Sequence, residues 1–155
     1  MQDSLTGVVN RQALTEHLDQ RLANADVERA LGGFGLLMVA LDDFAETTRR
    51  DGEAAAGELV RTAAARMVAT LRDADLVADL GDGRFMVVIP QASDRATATR
   101  IADKLHEAFA KPVAQPLPGE FGRVVARIGI SLFPSDATSR EALMQRAAED
   151  LPTDR

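Results

Sequence analysis

The sequence predicts an α/β (α+β) domain in which helices pack on a single mixed sheet. Two observations support this fold class. Helical and strand patterns follow one another along the chain in the order α-β-α-α-β-β-α-β-α. The chain has 155 residues and is 46% hydrophobic, which suits one soluble domain with a sizeable core. We therefore interpret residues 1–155 as one domain.

The first half of the chain predicts three helices and one strand. Residues 11–24 form the first helix, with one apolar stripe at i, i+4 spacing: Leu14, Leu18 and Leu22. Residues 25–33 predict a connection, and the apolar run 34–42 predicts a strand buried on both faces. A short helix is expected from Asp43. A longer one is expected over about 53–71, with two neighbouring apolar rows: Leu59, Ala63, Met67 and Leu71, then Val60, Ala64 and Val68.

The middle of the chain predicts a β-hairpin. Two short apolar runs, residues 76–80 and 85–89, flank a turn that contains two glycines: Gly81, Asp82, Gly83 and Arg84. Such a turn can hold a phosphate or a metal close to backbone N–H groups.

The last third predicts helix, loop, strand and helix. Ser93 can cap a helix whose inward residues are Ala98, Ile101, Ala102, Leu105 and Phe109. Residues 112–120 hold three prolines and a glycine and predict a loop, and residues 122–134 predict the last major strand. The sequence from Thr138 to Glu141 has the form of a capping box and predicts the final helix.

Composition excludes several classes of function. The net charge of −6 argues against a general nucleic-acid binder. No apolar run approaches the ~20 residues of a membrane helix, and no signal peptide is evident. The chain has no cysteine, which fits a cytoplasmic domain, although the parent protein could be membrane-anchored. His17 and His106 lie on separate predicted helices, so we expect no metal site at either.

Five segments together resemble the GGDEF family, the bacterial diguanylate cyclases that join two GTP molecules into cyclic di-GMP. The turn Gly81-Asp82-Gly83-Arg84-Phe85 stands where the family has Gly-Gly-(Asp/Glu)-Glu-Phe. Residues 3–11, DSLTGVVNR, are similar to its opening motif, and residues 41–52 to its D-x-D-x-F-K-x-x-N-D segment. Residues 72–75 have its R-x-x-D form, and residues 126–134 are similar to a later strand.

The resemblance spans residue 3 to about residue 150 and implies a palm-like, nucleotide-cyclase-like fold. We expect a mixed, mostly antiparallel sheet of about five strands flanked by helices. It also implies a single domain that was excised from a longer, multidomain signalling protein.

The resemblance implies magnesium ligands that this sequence lacks. In the family an aspartate at the end of the first core strand and an acidic residue in the turn hold Mg²⁺. These positions fall on Ala40 and Gly83, and the next glutamate falls on Arg84. Asp42 lies two residues beyond Ala40, roughly 6.6 Å along a strand, too far to stand in. We therefore expect no bound Mg²⁺ and no other metal cofactor.

The guanine-contacting positions differ as well. The family's asparagine falls on Thr48, its aspartate on Gly57 and its lysine on Ala45. With metal, phosphate and base positions all changed, we expect no catalytic residues. The prediction is that the domain is not an enzyme but a regulatory module of cyclic di-GMP signalling.

Arg72 and Asp75 match the family's inhibitory site, where cyclic di-GMP binds away from the turn. An arginine fork can bridge a guanine edge or a phosphate, and a carboxylate can accept from guanine. Further basic candidates on the next helix are Arg95, Arg100 and Lys104. Alternatively, Arg72 and Asp75 form a structural pair at a helix end.

Other functions stay open. The domain could dimerise, or regulate an adjoining EAL phosphodiesterase or sensory domain, without binding nucleotide. It could also be a residual cyclase or a GTP sensor in which Arg84 contacts phosphate. Asp3, Thr6, Asn10 and Arg11 are expected to shape the turn into the first helix.

Overall fold

The computed structural model describes residues 8–42, 44–92, 94–111 and 124–153. Within these residues it has six helices and four strands, and the predicted α/β class is confirmed. In chain order the elements are α1 Arg11–Ala23, α2 Ala25–Ala30, β1 Phe34–Leu41, α3 Phe44–Asp51, α4 Glu53–Thr70, β2 Leu76–Gly81, β3 Arg84–Pro90, α5 Arg95–Ala110, β4 Ala126–Phe133 and α6 Arg140–Glu149.

The four strands form one sheet in the order β2-β3-β1-β4, and each pair of neighbours is antiparallel. The expected fifth strand is not found among the described residues, where Val9 forms only an isolated parallel bridge with Ala78. All eight residues of β1 are buried, because β1 lies in the middle of the sheet and is covered on both faces.

Side-chain alternation along the strands divides the core into two clusters. The first cluster joins alternate strand residues, such as Leu37, Val39 and Phe85, to α4 and α5 through Met67 and Leu105. The second cluster joins the intervening residues to α1 and α6; its members include Leu36, Met38, Met86, Leu14 and Leu143. The sheet is therefore sandwiched between two pairs of helices.

Short polar side chains begin three of the helices. Asn10 accepts a hydrogen bond from the Ala13 N–H at 2.8 Å, and Asp94 accepts one from Thr97 at 2.7 Å. Ser139 accepts one from Ala142 at 3.1 Å, so the cap of α6 lies one residue after the predicted Thr138. The cap predicted at Ser93 lies outside the described residues, and Asp94 fills that role.

Three further details differ from the sequence expectations. Residues 25–33 hold the short helix α2, which buries no residue and so has no apolar period to reveal it. Val68, expected in an apolar row of α4, is 44% exposed. The strand predicted from residue 122 begins at Ala126, and the loop predicted at residues 112–120 lies outside the described part.

The outer edge of β4 is covered by side chains of the segments that flank α6. The Ile130 N–H donates to Asp150 Oδ2 and the Leu132 N–H to Asp136 Oδ2, both at 2.8 Å. Arg95 bridges the two carboxylates, with nitrogen–oxygen distances of 3.5 Å to Asp150 and 3.6 Å to Asp136. Two backbone N–H groups at this edge, those of Ile130 and Leu132, are thus already hydrogen-bonded to carboxylates.

No helix in the described part of the chain has the length and apolar character needed to cross a membrane.

Candidate functional site

The predicted hairpin forms, and its turn is bonded to the central strand. Gly81, Asp82 and Gly83 all have positive φ, at 86°, 54° and 76°, a conformation that glycine adopts with little strain. The Asp79 carboxylate accepts from the Gly81 N–H at 2.8 Å, and the Leu41 N–H donates to the Gly83 carbonyl at 2.9 Å. These bonds fix the turn beside the carboxyl end of β1.

A cleft of about 450 Å³ opens between this turn and the helices α3 and α4. It brings together predicted site residues that are distant in sequence: Thr48, Gly57, Gly81, Asp82 and Gly83. Its other lining residues are Phe44, Glu53, Ala56, Val60, Arg61 and Asp79. The positions that the resemblance singled out therefore line one cleft in the structure.

The charges that line the cleft are mostly negative. Glu53, Asp79 and Asp82 carry carboxylates, whereas Arg61 is the one cation among the described lining residues and forms an ion pair with Glu58. Thr48 donates its hydroxyl to the Phe44 carbonyl of its own helix at 2.9 Å. The sequence interpretation missed Glu53 and Arg61, although their spacing from Gly57 on α4 is that of one helix face.

Gly83 has no room for a side chain. A Cβ placed on Gly83 would lie 2.6 Å from both Cβ and Cγ of Phe44. Phe44 therefore occupies the space that the side chain of an acidic turn residue would need. The sequence interpretation did not single out Phe44, because this contact depends on how α3 approaches the turn.

Ala40 lies between two arginines of the neighbouring strands. Its Cα partners are Arg84 on β3 and Arg127 on β4. Asp42, the nearest carboxylate on the strand, is only 8% exposed and is bound by Arg127 Nε at 2.6 Å. Because side chains alternate along a strand, Ala40, Arg84 and Arg127 point to the same face of the sheet.

The side chains at this position do not fit the magnesium that the family implies. Ala40 and Gly83 supply no side-chain oxygen, and Asp42 is held by a guanidinium. Within residues 8–42, 44–92, 94–111 and 124–153, no three His, Asp or Glu side chains form a group that could hold a metal ion.

Arg72 and Asp75 come together in the turn between α4 and β2. The Asp75 carboxylate accepts from the Arg72 backbone N–H at 2.9 Å, and its other oxygen lies 3.5 Å from Arg72 Nη2. The Asp75 side chain is 2% exposed, whereas that of Arg72 is 68% exposed. Both line a pocket of about 230 Å³ with Val9, Val68, Leu71, Leu76 and other residues of this turn.

The other basic candidates lie in different surroundings. Arg95 is bound by Asp136 and Asp150. Lys104 shares a surface hollow with Thr70, which is two residues before Arg72. Arg100 is exposed on α5. Lys104 is therefore the candidate that shares a hollow with the end of α4.

The opening motif is described only in part, since Asp3 and Thr6 lie outside the described residues. Asn10 caps α1, as expected. Arg11 donates from Nη2 to the Leu80 carbonyl at 3.4 Å and so reaches from α1 to the hairpin.

Comparison with known proteins places these features in a family. A family model described as diguanylate cyclase, GGDEF domain, matches residues 1–153. Diguanylate cyclase TpbB of Pseudomonas aeruginosa is 32% identical over 145 residues, which are 94% of this chain and 33% of that protein. Cyclic di-GMP phosphodiesterase NbdA of the same species is 30% identical over 145 residues, 94% of this chain and 18% of that protein. The chain thus spans a third or less of the length of these relatives.

Solved structures show the same fold. A structure comprising only the GGDEF domain of TpbB has a TM-score of 0.80 and 32% identity, covering 96% of this chain and 84% of that one. A sensory box/GGDEF family protein from Caulobacter crescentus has a TM-score of 0.82 and 30% identity, covering 97% of this chain and 94% of that one.

These findings contradict the expectation that the chain is not an enzyme. The family that matches is enzymatic, and the relative TpbB is named a diguanylate cyclase. The expectation relied on the side chains at six positions, Ala40, Ala45, Thr48, Gly57, Gly83 and Arg84, whereas the family model and this relative match the chain over almost its whole length. The chain belongs to the GGDEF domain family of diguanylate cyclases.

Proposed function

We propose that this domain acts as a regulatory module in cyclic di-GMP signalling and binds cyclic di-GMP through Arg72 and Asp75. The observation that carries the proposal is the exposed Arg72 guanidinium, held 3.5 Å from a buried Asp75 carboxylate at the mouth of a pocket. The ligand is an anion with two guanine bases, and an arginine fork matches both its phosphates and the guanine edge.

Arg72 supplies the direct contact in this proposal. Its side chain is 68% exposed, so it can reach a ligand without moving the backbone. Among the described residues its ion pair is with Asp75 in the same turn, at a distance that leaves other guanidinium N–H groups available.

Asp75 holds the arginine in place. Its carboxylate is 2% exposed and accepts the Arg72 backbone N–H, which closes the turn after α4. A buried, hydrogen-bonded carboxylate keeps the turn rigid and fixes the position of the guanidinium beside it. The ordering cost of binding is therefore smaller than for a free surface arginine.

The surroundings suit a planar base. Val9, Val68, Leu71 and Leu76 line the pocket, and Val68 is 44% exposed. An apolar wall beside a charged fork is the arrangement that lets a base pack on one side and pair at its edge. Lys104, which shares a hollow with Thr70 at the end of α4, is an additional cation for a second phosphate.

Titration calorimetry with cyclic di-GMP tests the proposal. We expect binding by the unchanged chain and at least tenfold weaker binding by Arg72→Ala, since a charge-assisted contact is lost. Arg49→Ala is the matched control, because Arg49 is similarly exposed, at 76% against 68% for Arg72, and also forms an i,i+3 ion pair. Absence of heat at tens of micromolar ligand, or equal affinity of Arg72→Ala, would refute the proposal.

A second candidate function is regulation of an attached domain without nucleotide binding. It is favoured by the relative NbdA, a phosphodiesterase of which this chain matches only 18%. In this alternative the domain is one part of a longer protein, beside an EAL phosphodiesterase or a sensory domain, and works as a scaffold or homodimer. Deleting residues 1–153 from the parent protein should then change the partner's activity or assembly, and an unchanged partner would argue against it.

We also propose a cytoplasmic location, since a chain without cysteine needs no oxidising compartment to fold.

A further inference from the structure

Two arginines lie side by side with Ala40 at the turn end of the sheet. The strand register pairs Arg84 with Ala40 and Ala40 with Arg127, so the three residues form one row across β3, β1 and β4. Leu36 and Met38 precede Ala40 on the same face and belong to the core cluster beneath α1 and α6. These three residues therefore lie on the face of the sheet that packs against α1 and α6, at the end of that face nearest the β2–β3 turn.

A third guanidinium reaches the same end from α1. Arg11 Nη2 donates to the carbonyl of Leu80, and the Leu80 side chain packs against the same core cluster. Arg84 lies on β3 and Arg127 on β4, and Arg11 contacts the end of β2. Between them, the central strand β1 has only the methyl group of Ala40 on this face. We call these three residues the arginine row.

The charges of the arginine row are only partly neutralised. Arg127 is held by Asp42, with Nε 2.6 Å from Oδ1, and by the Pro152 carbonyl at 2.9 Å. Arg84 is exposed and forms no ion pair with any residue of the described part. Asp79 does not oppose it, because Asp79 is the register partner of Phe85, whose ring packs in the opposite core cluster.

We infer that the arginine row binds the phosphate groups of a nucleotide directly, without a divalent cation. A metal would supply positive charge at this position, but the residues here do not fit one, and Arg84 places a permanent charge there instead. Guanidinium groups form strong, often bidentate hydrogen bonds with phosphate. The site lies apart from Arg72 and does not depend on the function proposed above.

Titration with GTP and with inorganic tripolyphosphate, both in excess EDTA, tests the inference. We expect both probes to bind and to compete, because the arginine row contacts phosphate and not base. Arg84→Gln should weaken both by about tenfold, and Arg84→Lys, which keeps the charge but loses the fork, by less. Arg127 is left unchanged in this experiment, since its removal would break its ion pair with the buried Asp42 carboxylate.

Arg100→Gln is the matched control, because it removes one exposed arginine from α5, on the opposite face of the sheet, and should leave both affinities unchanged. Circular dichroism verifies that each variant is folded. The inference is overturned if neither probe binds in EDTA, if binding appears only with Mg²⁺, or if Arg84→Gln and Arg100→Gln behave alike. Binding of GTP without tripolyphosphate would place recognition on the base and would also overturn it.

Discussion

The turn between β2 and β3 tolerates side chains at some positions and not at others. Gly81 and Gly83 both have positive φ, at 86° and 76°. An added Cβ at Gly81 meets no atom within 4 Å, whereas one at Gly83 lies 2.6 Å from Phe44. A side chain at either glycine would therefore strain the backbone, but only a side chain at Gly83 would also collide with Phe44.

We expect Gly83→Ala to lower the free energy of unfolding more than Gly81→Ala. Gly81→Ala should cost about 1 kcal/mol, which is the strain of a left-handed backbone with a side chain. Gly83→Ala should cost about 1–3 kcal/mol more, since Phe44 must move. Urea denaturation of both variants measures the difference. Equal losses of unfolding free energy would show that Phe44 moves aside at no cost.

At the scale of helices, α4 and α5 are joined through one arginine. Arg66 of α4 directs Nη1 to the carbonyls of Ala108, at 2.8 Å, and Phe109, at 3.1 Å, and also contacts that of Lys111. These carbonyls lie at the end of α5, where Ala108 also accepts from the Lys111 N–H at 3.4 Å and Phe109 from the Val124 N–H at 3.1 Å, so Arg66 adds a charged donor to them. Burial lowers the pKa of Arg66 from its ordinary value, yet a guanidinium stays charged at neutral pH.

We expect Arg66→Met to lower the free energy of unfolding by about 1.5–3 kcal/mol, because carbonyls bonded to a charged donor lose it. Arg61→Met is the control in the same helix, since Arg61 is exposed and, among the described residues, pairs with Glu58; its effect should stay within about 0.5 kcal/mol. Thermal and urea unfolding measure both. Equal effects would mean that Arg66 contributes no more than a surface residue.

A histidine in α1 links helix packing to pH. His17 Nε2 accepts a hydrogen bond from Arg21 Nε at 2.9 Å, and Arg21 in turn pairs with Glu28 of α2 at 2.9 Å. Burial, and then the charge of Arg21, lower the pKa of His17 below its ordinary value of 6.5. The folded chain thus favours neutral His17, and the unfolded chain binds the proton more tightly.

We expect this arrangement to lose stability as the pH falls below 6.5, because the unfolded state takes up the proton first. The contribution is fully present above pH 6.5 and declines as the pH falls towards the lowered folded pKa. His17→Gln removes the titration, so the difference in unfolding free energy between it and the unchanged chain should shrink or reverse from pH 7.5 to about pH 5.5. A constant difference would contradict this account.

For the molecule as a whole, sequence patterns predicted most of the elements. The apolar run of β1, the first row of α4 and the glycine turn were each interpreted correctly, because burial on a helix or strand leaves a period in the sequence. The helix α2 was missed because it buries nothing. The fifth strand was expected from resemblance and is not found in the described residues.

The candidate site was predicted less completely than the fold. Resemblance located Thr48, Gly57 and the turn, which line one cleft. It could not locate Arg127 beside Asp42, since the two lie 85 residues apart and meet only through strand register. Nor could it show that Phe44 fills the space beside Gly83.

The outer edge of β4 predicts how the molecule behaves in concentrated solution. Replacing Asp136 and Asp150 together by alanine should remove about 1.5–3 kcal/mol for each charged hydrogen bond and promote association. Asp103→Ala with Glu107→Ala is the control, because it removes the same charge from exposed positions on α5. Size-exclusion chromatography with light scattering measures the outcome, and a monomeric double variant would contradict the prediction.

The carboxylates along β4 have one more consequence. A foreign peptide that approached this side of the domain would find the N–H groups of Ile130 and Leu132 already bonded to carboxylates, so extending the sheet by one strand would require it to displace Asp150 and Asp136. Any polypeptide that joins the domain here therefore meets these carboxylates first, and its affinity should respond to ionic strength.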